Sequence, residues 1–205
     1  MENYQLAFIP AENYITKIQL PFGTGVVACY SEEDAMRLTG RRKNFLTKNE
    51  WYDIEIPSRN TFLNLDSPIM ENSVRAISSL FSDKALAMLF YTEGQKFFNE
   101  EIPLYFKNRE VPEQKKEEIV RKKLDCFYKS KIEEIKSLVT VSSLIQFITR
   151  RARNNDVAVT SSFLSMTGIN GIIYSENNEE RILIFDAKRQ IKLKYLNSSV
   201  LWENK

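Results

Sequence analysis

The chain has 205 residues, and its 29 Lys and Arg residues nearly balance 27 Asp and Glu residues, for a net charge of +2. A charge so close to zero gives no electrostatic reason to expect binding to nucleic acid or to a membrane. The sequence contains no histidine, which excludes histidine-based triads, histidine metal ligands and histidine general bases. Cys29 and Cys126 lack the spacing of a metal site or a redox pair, so we expect no metal and a reducing, cytoplasmic setting.

The first third of the chain is predicted to form mainly strands, because apolar and polar residues alternate there. The predicted extended segments are Tyr4–Ile9, Tyr14–Leu20, Val26–Tyr30, Trp51–Pro57 and Phe62–Asp66. Ser31 is predicted to cap a short helix that ends near Leu38, since three acidic residues follow it. The basic cluster Arg41–Lys43 is either a solvated loop or a phosphate-binding site.

The middle of the chain, from Glu71 to about Arg153, is predicted to be helical because apolar residues recur there every three or four positions. Its longest element is an amphipathic helix from Ile119 to Leu138. A basic cluster ends the next helix and contains Arg150, Arg151 and Arg153. These three arginines are either an ordinary basic helix end or a partner-binding patch.

The stretch Gly168–Leu196 is predicted to form three strands separated by an acidic turn and a short basic turn. The acidic turn is the polar segment Ser175–Arg181, which contains Glu176 and Glu180. It is either a solvated hairpin tip or a loop that holds a carboxylate out to a ligand.

Strands at both ends of the chain and helices between them predict an α+β fold. Neither set of strands can bury its apolar face alone, so we expect the two sets to share one largely antiparallel sheet. The expected organisation is a single domain over residues 1–205, with 71–153 as a helical insertion.

Two segments resemble a known family. The first, FGTGVVA at Phe22–Ala28 with Ser31 after it, resembles the FGKGIYFA…S segment of ADP-ribosyltransferases of the poly(ADP-ribose) polymerase and diphtheria-toxin class. The second, GINGIIY…EERILIFDAKRQIKLKYL, resembles the closing NEYIVYDxxQ…KYL strands of that class. It is also similar to the GxxGIxY…YIVFDPxQIK ending of ADP-ribosyltransferase domains in phage polyvalent proteins and in an anti-CRISPR enzyme.

The resemblance implies a split β-core that binds NAD in a cleft, where an acceptor nucleophile displaces nicotinamide. It places the NAD contacts at Phe22, Gly23, Thr24, Gly25, Tyr30, Ser31 and Tyr174. Within this set, Gly23 and Gly25 would let the backbone approach the ligand. Tyr30 or Tyr174 would supply an aromatic face.

The resemblance also implies a catalytic acid. The family's glutamate position falls on Arg181, so Glu180, one residue earlier, is the first choice. Glu176 is the second choice, because the phage enzymes often carry their acid there. A carboxylate near the nicotinamide ribose stabilises the oxocarbenium-like transition state. The chain departs from the family in lacking a cation in its first strand and in carrying Val27 at the usual tyrosine position.

The function implied is that of an NAD-dependent mono-ADP-ribosyltransferase. It would modify a host or competitor macromolecule, more readily a protein than a nucleic acid, as a phage counter-defence protein of the anti-CRISPR type or as a toxin in the host cytosol. The alternative is a catalytically silent member of the same fold that binds or inhibits a partner through its helical insertion. Neither function involves a membrane.

Overall fold

The computed structural model describes residues 4–11, 14, 16–39, 48–152 and 155–200. Within these ranges the strands are β1 Tyr4–Pro10, β2 Ile18–Leu20, β3 Gly23–Cys29, β4 Lys48–Pro57, β5 Phe62–Asn64, β6 Gly171–Glu176, β7 Glu179–Ile184 and β8 Lys192–Val200. The helices are α1 Glu32–Thr39, α2 Val74–Leu80, α3 Asp83–Leu89, α4 Tyr91–Lys96, α5 Ile102–Phe106, α6 Glu113–Lys136, α7 Val141–Arg151, α8 Val157–Thr167 and α9 Ala187–Gln190. A π-helical turn, Phe97–Glu101, joins α4 to α5.

The strands at the two ends of the chain form one open, mixed sheet, as the sequence predicts. Its order in the described residues is β5-β6-β7-β3-β1-β4-β8, and β2 pairs with β3 beside this path. The pairings are antiparallel except for the parallel contact between β5 and β6. The two ends meet where Val27 of β3 pairs with Leu183 of β7. The architecture is therefore α+β.

Both faces of the central strands are buried. Leu183 belongs to a core shared with the helices, while its neighbours Ile182 and Ile184 belong to a second core on the opposite face. Residues alternate between the two faces of a strand. A strand that is covered on both faces needs a continuous apolar run, and the sequence Ile182–Phe185 provides one.

The helical middle of the chain is confirmed, with two local differences. The apolar residues Leu86, Leu89 and Phe90 after the Ser82 cap predict one helix to Gly94 or somewhat beyond, but α3 ends at Leu89 and α4 begins at Tyr91. The two prolines Pro103 and Pro112 predict an irregular segment between them, but Pro103 lies in the first turn of α5. Proline is tolerated there because the first amide groups of a helix have no intrahelical acceptor. Of the stretch between the two prolines, the residues from Lys107 to Pro112 are irregular.

Two helix N-caps that the sequence predicts, at Ser82 and at Asn155–Asp156, are confirmed. The Ser82 side chain accepts a hydrogen bond from the amide of Ala85 and caps α3. Asp156 caps α8, which ends at Gly168 with φ +96°, the left-handed conformation that favours glycine. The segment Tyr14–Leu20 is a confirmed strand only over Ile18–Leu20.

The expected seven-residue acidic loop is a two-residue turn. Asn177 and Asn178 both have positive φ, +55° and +63°, and connect β6 directly to β7. Asparagine adopts this left-handed conformation more readily than most residues, and tight hairpins require it at both turn positions. The polar residues on either side of the turn are therefore ladder residues, with Glu176 paired to Glu179.

Candidate functional site

The tight turn decides which way each candidate acid points. Glu176 lies two residues after Tyr174 on β6, and Tyr174 pairs with Arg181 on β7. These three side chains share one face of the hairpin. Glu180 pairs with Ser175 and projects from the opposite face. The two candidate acids therefore cannot line the same side of the sheet.

Arg181 forms a buried ion pair with the first helix. Its Nε and Nη2 atoms each lie 3.3 Å from a carboxylate oxygen of Asp34, and the two side chains are only 5% and 3% exposed. Ser31 fixes this end of α1, because its Oγ accepts a hydrogen bond from the Asp34 amide at 3.1 Å. The Arg181 guanidinium also contacts Glu176, whose side chain is 45% exposed. Arg181 is thus a buried guanidinium paired with two carboxylates.

Neutral, buried groups surround this ion pair. Burial, with the nearby Asp34 carboxylate, raises the pKa of the Cys29 thiol to about 12. Burial likewise raises the pKa of the Tyr174 phenol to about 12. Phe22 packs against Tyr174 with ring centroids 4.9 Å apart. Neither the thiol nor the phenol ionises near neutral pH, so neither supplies a nucleophilic anion there.

Arg59 holds Glu180 on the other face. Its two terminal nitrogens lie 2.7 Å and 2.5 Å from the Glu180 carboxylate oxygens, a bidentate pair. The Arg59 guanidinium also lies over the Tyr30 ring, 5.5 Å from its centroid. Gln5 donates a 3.3 Å hydrogen bond to the Tyr30 hydroxyl. Sequence reasoning missed Arg59, which lies in a short polar turn after β4 and carries no motif.

The space in front of the two motif glycines is filled by the protein itself. A β-carbon on Gly23 would lie 2.8 Å from Leu183 Cδ2, and one on Gly25 would lie 2.2 Å from the Ile184 carbonyl oxygen. The Thr24 amide between them donates a 2.7 Å hydrogen bond to Ser161 of α8. These glycines permit close packing of β3 against β7 and α8.

The three predicted partner-binding arginines differ in their surroundings. The Arg151 guanidinium stacks over the Phe147 ring at 3.6 Å and lies 2.8 Å from a Glu134 carboxylate oxygen. Arg150 is exposed, and Arg153 lies outside the described residues, as does the Arg41–Lys43 cluster. Arg151 is therefore engaged within the protein.

The remaining sequence expectations concern metals and membranes. Among the described residues, no group of three or more cysteine and acidic side chains is placed to hold a metal ion. No helix in the described part of the chain is both long and apolar enough to cross a membrane.

Comparison with known proteins found no relationship: no protein-family model, no curated protein and no solved structure matches the chain significantly. The family resemblance therefore depends on the two quoted segments alone.

Proposed function

We propose that the protein is a partner-binding protein built on an ADP-ribosyltransferase-like sheet, and that it does not transfer ADP-ribose. The observation that carries the proposal is Arg181, which stands at the family's glutamate position and is buried with Asp34. The reaction develops positive charge on the nicotinamide ribose. A guanidinium at the same point is repelled by that charge, whereas a carboxylate attracts it.

The first-choice acid of the resemblance, Glu180, is paired with an arginine. Glu180 is bound at both oxygens by Arg59 on the opposite face of the sheet. An acid that already accepts two charge-assisted hydrogen bonds has less free capacity to stabilise a transition state. The pairings of Glu180 with Arg59 and of Arg181 with Asp34 therefore support a protein that does not transfer ADP-ribose.

The helical middle of the chain carries exposed apolar side chains that a partner can contact. From α3 to α5 the chain exposes large apolar side chains, namely Met88, Tyr91, Phe98 and Leu104, with Tyr91 and Leu104 65% and 70% exposed. Apolar and aromatic side chains of this kind dominate the cores of protein–protein interfaces. We propose that the macromolecular partner is a protein, which contacts these exposed side chains.

A second candidate is the NAD-dependent mono-ADP-ribosyltransferase of a phage counter-defence protein or toxin. One observation favours it: Glu176 is 45% exposed and projects from the same face as Tyr174, which packs on Phe22. In this alternative Glu176 is the acid, and Arg181 positions its carboxylate.

Calorimetric titration with NAD and an assay of nicotinamide release separate the two candidates. The silent binding protein gives no saturable heat and no nicotinamide above the rate in buffer. If the wild type instead releases nicotinamide, Glu176→Gln should lower turnover by roughly a hundredfold with little change in NAD affinity. Glu180→Gln is the matched control, because it removes the same charge from the opposite face. Nicotinamide release that depends on Glu176 and not on Glu180 would contradict the silent binding protein and support the ADP-ribosyltransferase.

A further inference from the structure

A cavity of about 360 Å³ lies between the start of β3, one face of α8 and the turn that follows β7. Its polar lining residues include Lys17, Thr24, Ser161, Ser165, Asp186 and Arg189. Neither Arg181 nor either candidate acid lines it. The cavity is therefore separate from the ion pair on which the proposed function depends.

The charged lining of the cavity favours an anion. Lys17 and Arg189 contribute two cations, and Asp186 contributes one carboxylate. Arg189 Nε lies 3.5 Å from an Asp186 oxygen, but the Arg189 side chain is 87% exposed. So loose and solvated a pair leaves the other guanidinium nitrogens free to donate. Within the described residues Lys17 has no ion-pair partner.

Two of the hydroxyl groups that line the cavity, those of Thr24 and Ser161, differ in their hydrogen bonding. The Thr24 hydroxyl oxygen is buried and has no hydrogen-bond partner in the described structure. Buried polar atoms in proteins usually do have a partner, and leaving one unpaired is costly. Ser161 is different, because its hydroxyl already accepts from the Thr24 amide and donates to Val157. The Thr24 oxygen is itself buried, so recognition of a ligand falls to the charged side chains that line the cavity.

The size of the cavity limits the ligand. Ligand pockets usually measure about 300–1,000 Å³, so this cavity admits a small ligand rather than a dinucleotide. Phe185 and Met166 supply an apolar wall. Asp186 can accept hydrogen bonds from sugar hydroxyls, while the two cations neutralise a phosphate.

We propose that this cavity binds a small organic phosphate of the size of a sugar phosphate or a nucleoside monophosphate. Lys17 and Arg189 hold the phosphate, and Asp186 meets the sugar. The inference goes beyond the proposed partner binding and does not depend on it.

Isothermal titration of the full chain with AMP, ribose 5-phosphate, inorganic phosphate and adenosine tests the proposal. AMP, ribose 5-phosphate or both should bind at least about tenfold more tightly than adenosine, since two charge-assisted contacts go to the phosphate. Ribose 5-phosphate binding as tightly as AMP identifies a sugar-phosphate site, whereas a preference for AMP identifies a nucleotide site. Binding of inorganic phosphate alone, or of none of the probes at millimolar concentration, overturns the proposal.

Charge-removing variants locate the site. Lys17→Gln and Arg189→Gln should each weaken binding of the best probe by about tenfold. Lys188→Gln is the matched control, because Lys188 is exposed next to Arg189 and does not line the cavity. Ser165→Trp should abolish binding by filling the cavity, with circular dichroism used to check folding. An equal loss in Lys188→Gln, or no loss in the two lining variants, overturns the assignment. The NAD titration tests the proposed function separately, so either proposal can fail without the other.

Discussion

Glu176 and Glu180 lie four positions apart in the chain, yet their side chains project from opposite faces of the sheet and each contacts a different arginine. The cause is the two-residue turn at Asn177 and Asn178, which keeps both flanking residues in register. Because side chains alternate along a strand, this register fixes on which of the two faces each polar residue of the hairpin lies. At most one of these two carboxylates can serve a ligand on a given face.

Removing the partner of Arg181 should strongly destabilise the protein. Asp34→Asn removes the buried countercharge of Arg181 and leaves the guanidinium in contact only with the half-exposed Glu176 carboxylate. The Asp34 and Arg181 side chains are only 3% and 5% exposed. The expected loss in the free energy of unfolding is about 3–5 kcal/mol, measured by urea denaturation. Glu176→Gln is the control: it removes a carboxylate that contacts the same arginine but is 45% exposed. Glu176→Gln should lower the free energy of unfolding by about 1 kcal/mol or less. Equal losses in Asp34→Asn and Glu176→Gln would contradict the burial of the Arg181–Asp34 pair.

The strands and helices could be predicted from the sequence because their signals are local. The apolar run Ile182–Phe185 and the capping residue Ser82 each show their structure within a few residues. The side-chain pairings could not be predicted. Arg59 meets Glu180 across 121 positions and Arg181 meets Asp34 across 147, so both contacts depend on how the sheet brings distant segments together.

The same limit applies to the glycine motif. A glycine-rich turn before a strand is compatible with close approach of either a ligand or another segment of the chain. The family resemblance implies a ligand near Gly23 and Gly25, and the atoms that a β-carbon would meet at these positions include those of Leu183, Ile184 and Ser161. Which neighbour occupies the space is decided by the packing of β7 and α8, which no local pattern encodes.

Gly25 should tolerate no side chain. In Gly25→Ala the new β-carbon would meet the Ile184 carbonyl oxygen at 2.2 Å, and a backbone atom in a central strand cannot move aside freely. The expected loss in the free energy of unfolding is about 1–3 kcal/mol or more. Gly94→Ala is the control, because its β-carbon meets nothing within 4 Å and lies in α4. It should stabilise the helix by up to about 1 kcal/mol. If the two variants change the free energy of unfolding equally, the close packing of β3 on β7 at Gly25 is contradicted.

Arg151 and Arg150 should differ in their effect on stability. Arg151→Gln removes a cation stacked at 3.6 Å on Phe147 and paired at 2.8 Å with Glu134. Its side chain is 27% exposed, so the expected loss in the free energy of unfolding is about 1–2 kcal/mol. Arg150→Gln should change that free energy by less than about 0.5 kcal/mol, as for most exposed positions. Thermal and urea unfolding of the two variants check the difference. Equal effects would show that the contacts of Arg151 with Phe147 and Glu134 do not stabilise the fold.

Cys29 should make the protein less stable at alkaline pH. Burial, followed by the Asp34 carboxylate, raises the pKa of this thiol from 9.0 to about 12. Below pH 9 the thiol is protonated in both the folded and the unfolded chain, so its contribution to stability is complete. As the pH rises from 9 towards 12, the unfolded chain loses a proton that the folded chain keeps. The free energy of unfolding should therefore fall by up to about 1.4 kcal/mol per pH unit from this group alone.

The variant Cys29→Ala isolates that effect. Tyr174, whose pKa is also raised to about 12 by burial, is present in both proteins and cancels in the comparison. The wild type should therefore lose stability more steeply than Cys29→Ala between pH 9 and pH 11 in urea denaturation. The matched control is Cys126→Ala, because Cys126 is exposed and its removal should leave the slope unchanged. A wild-type slope equal to that of Cys29→Ala would mean that the Cys29 thiol ionises in the folded protein. The thiol would then be reached by solvent, and the buried environment that it shares with Asp34 and Arg181 would be contradicted.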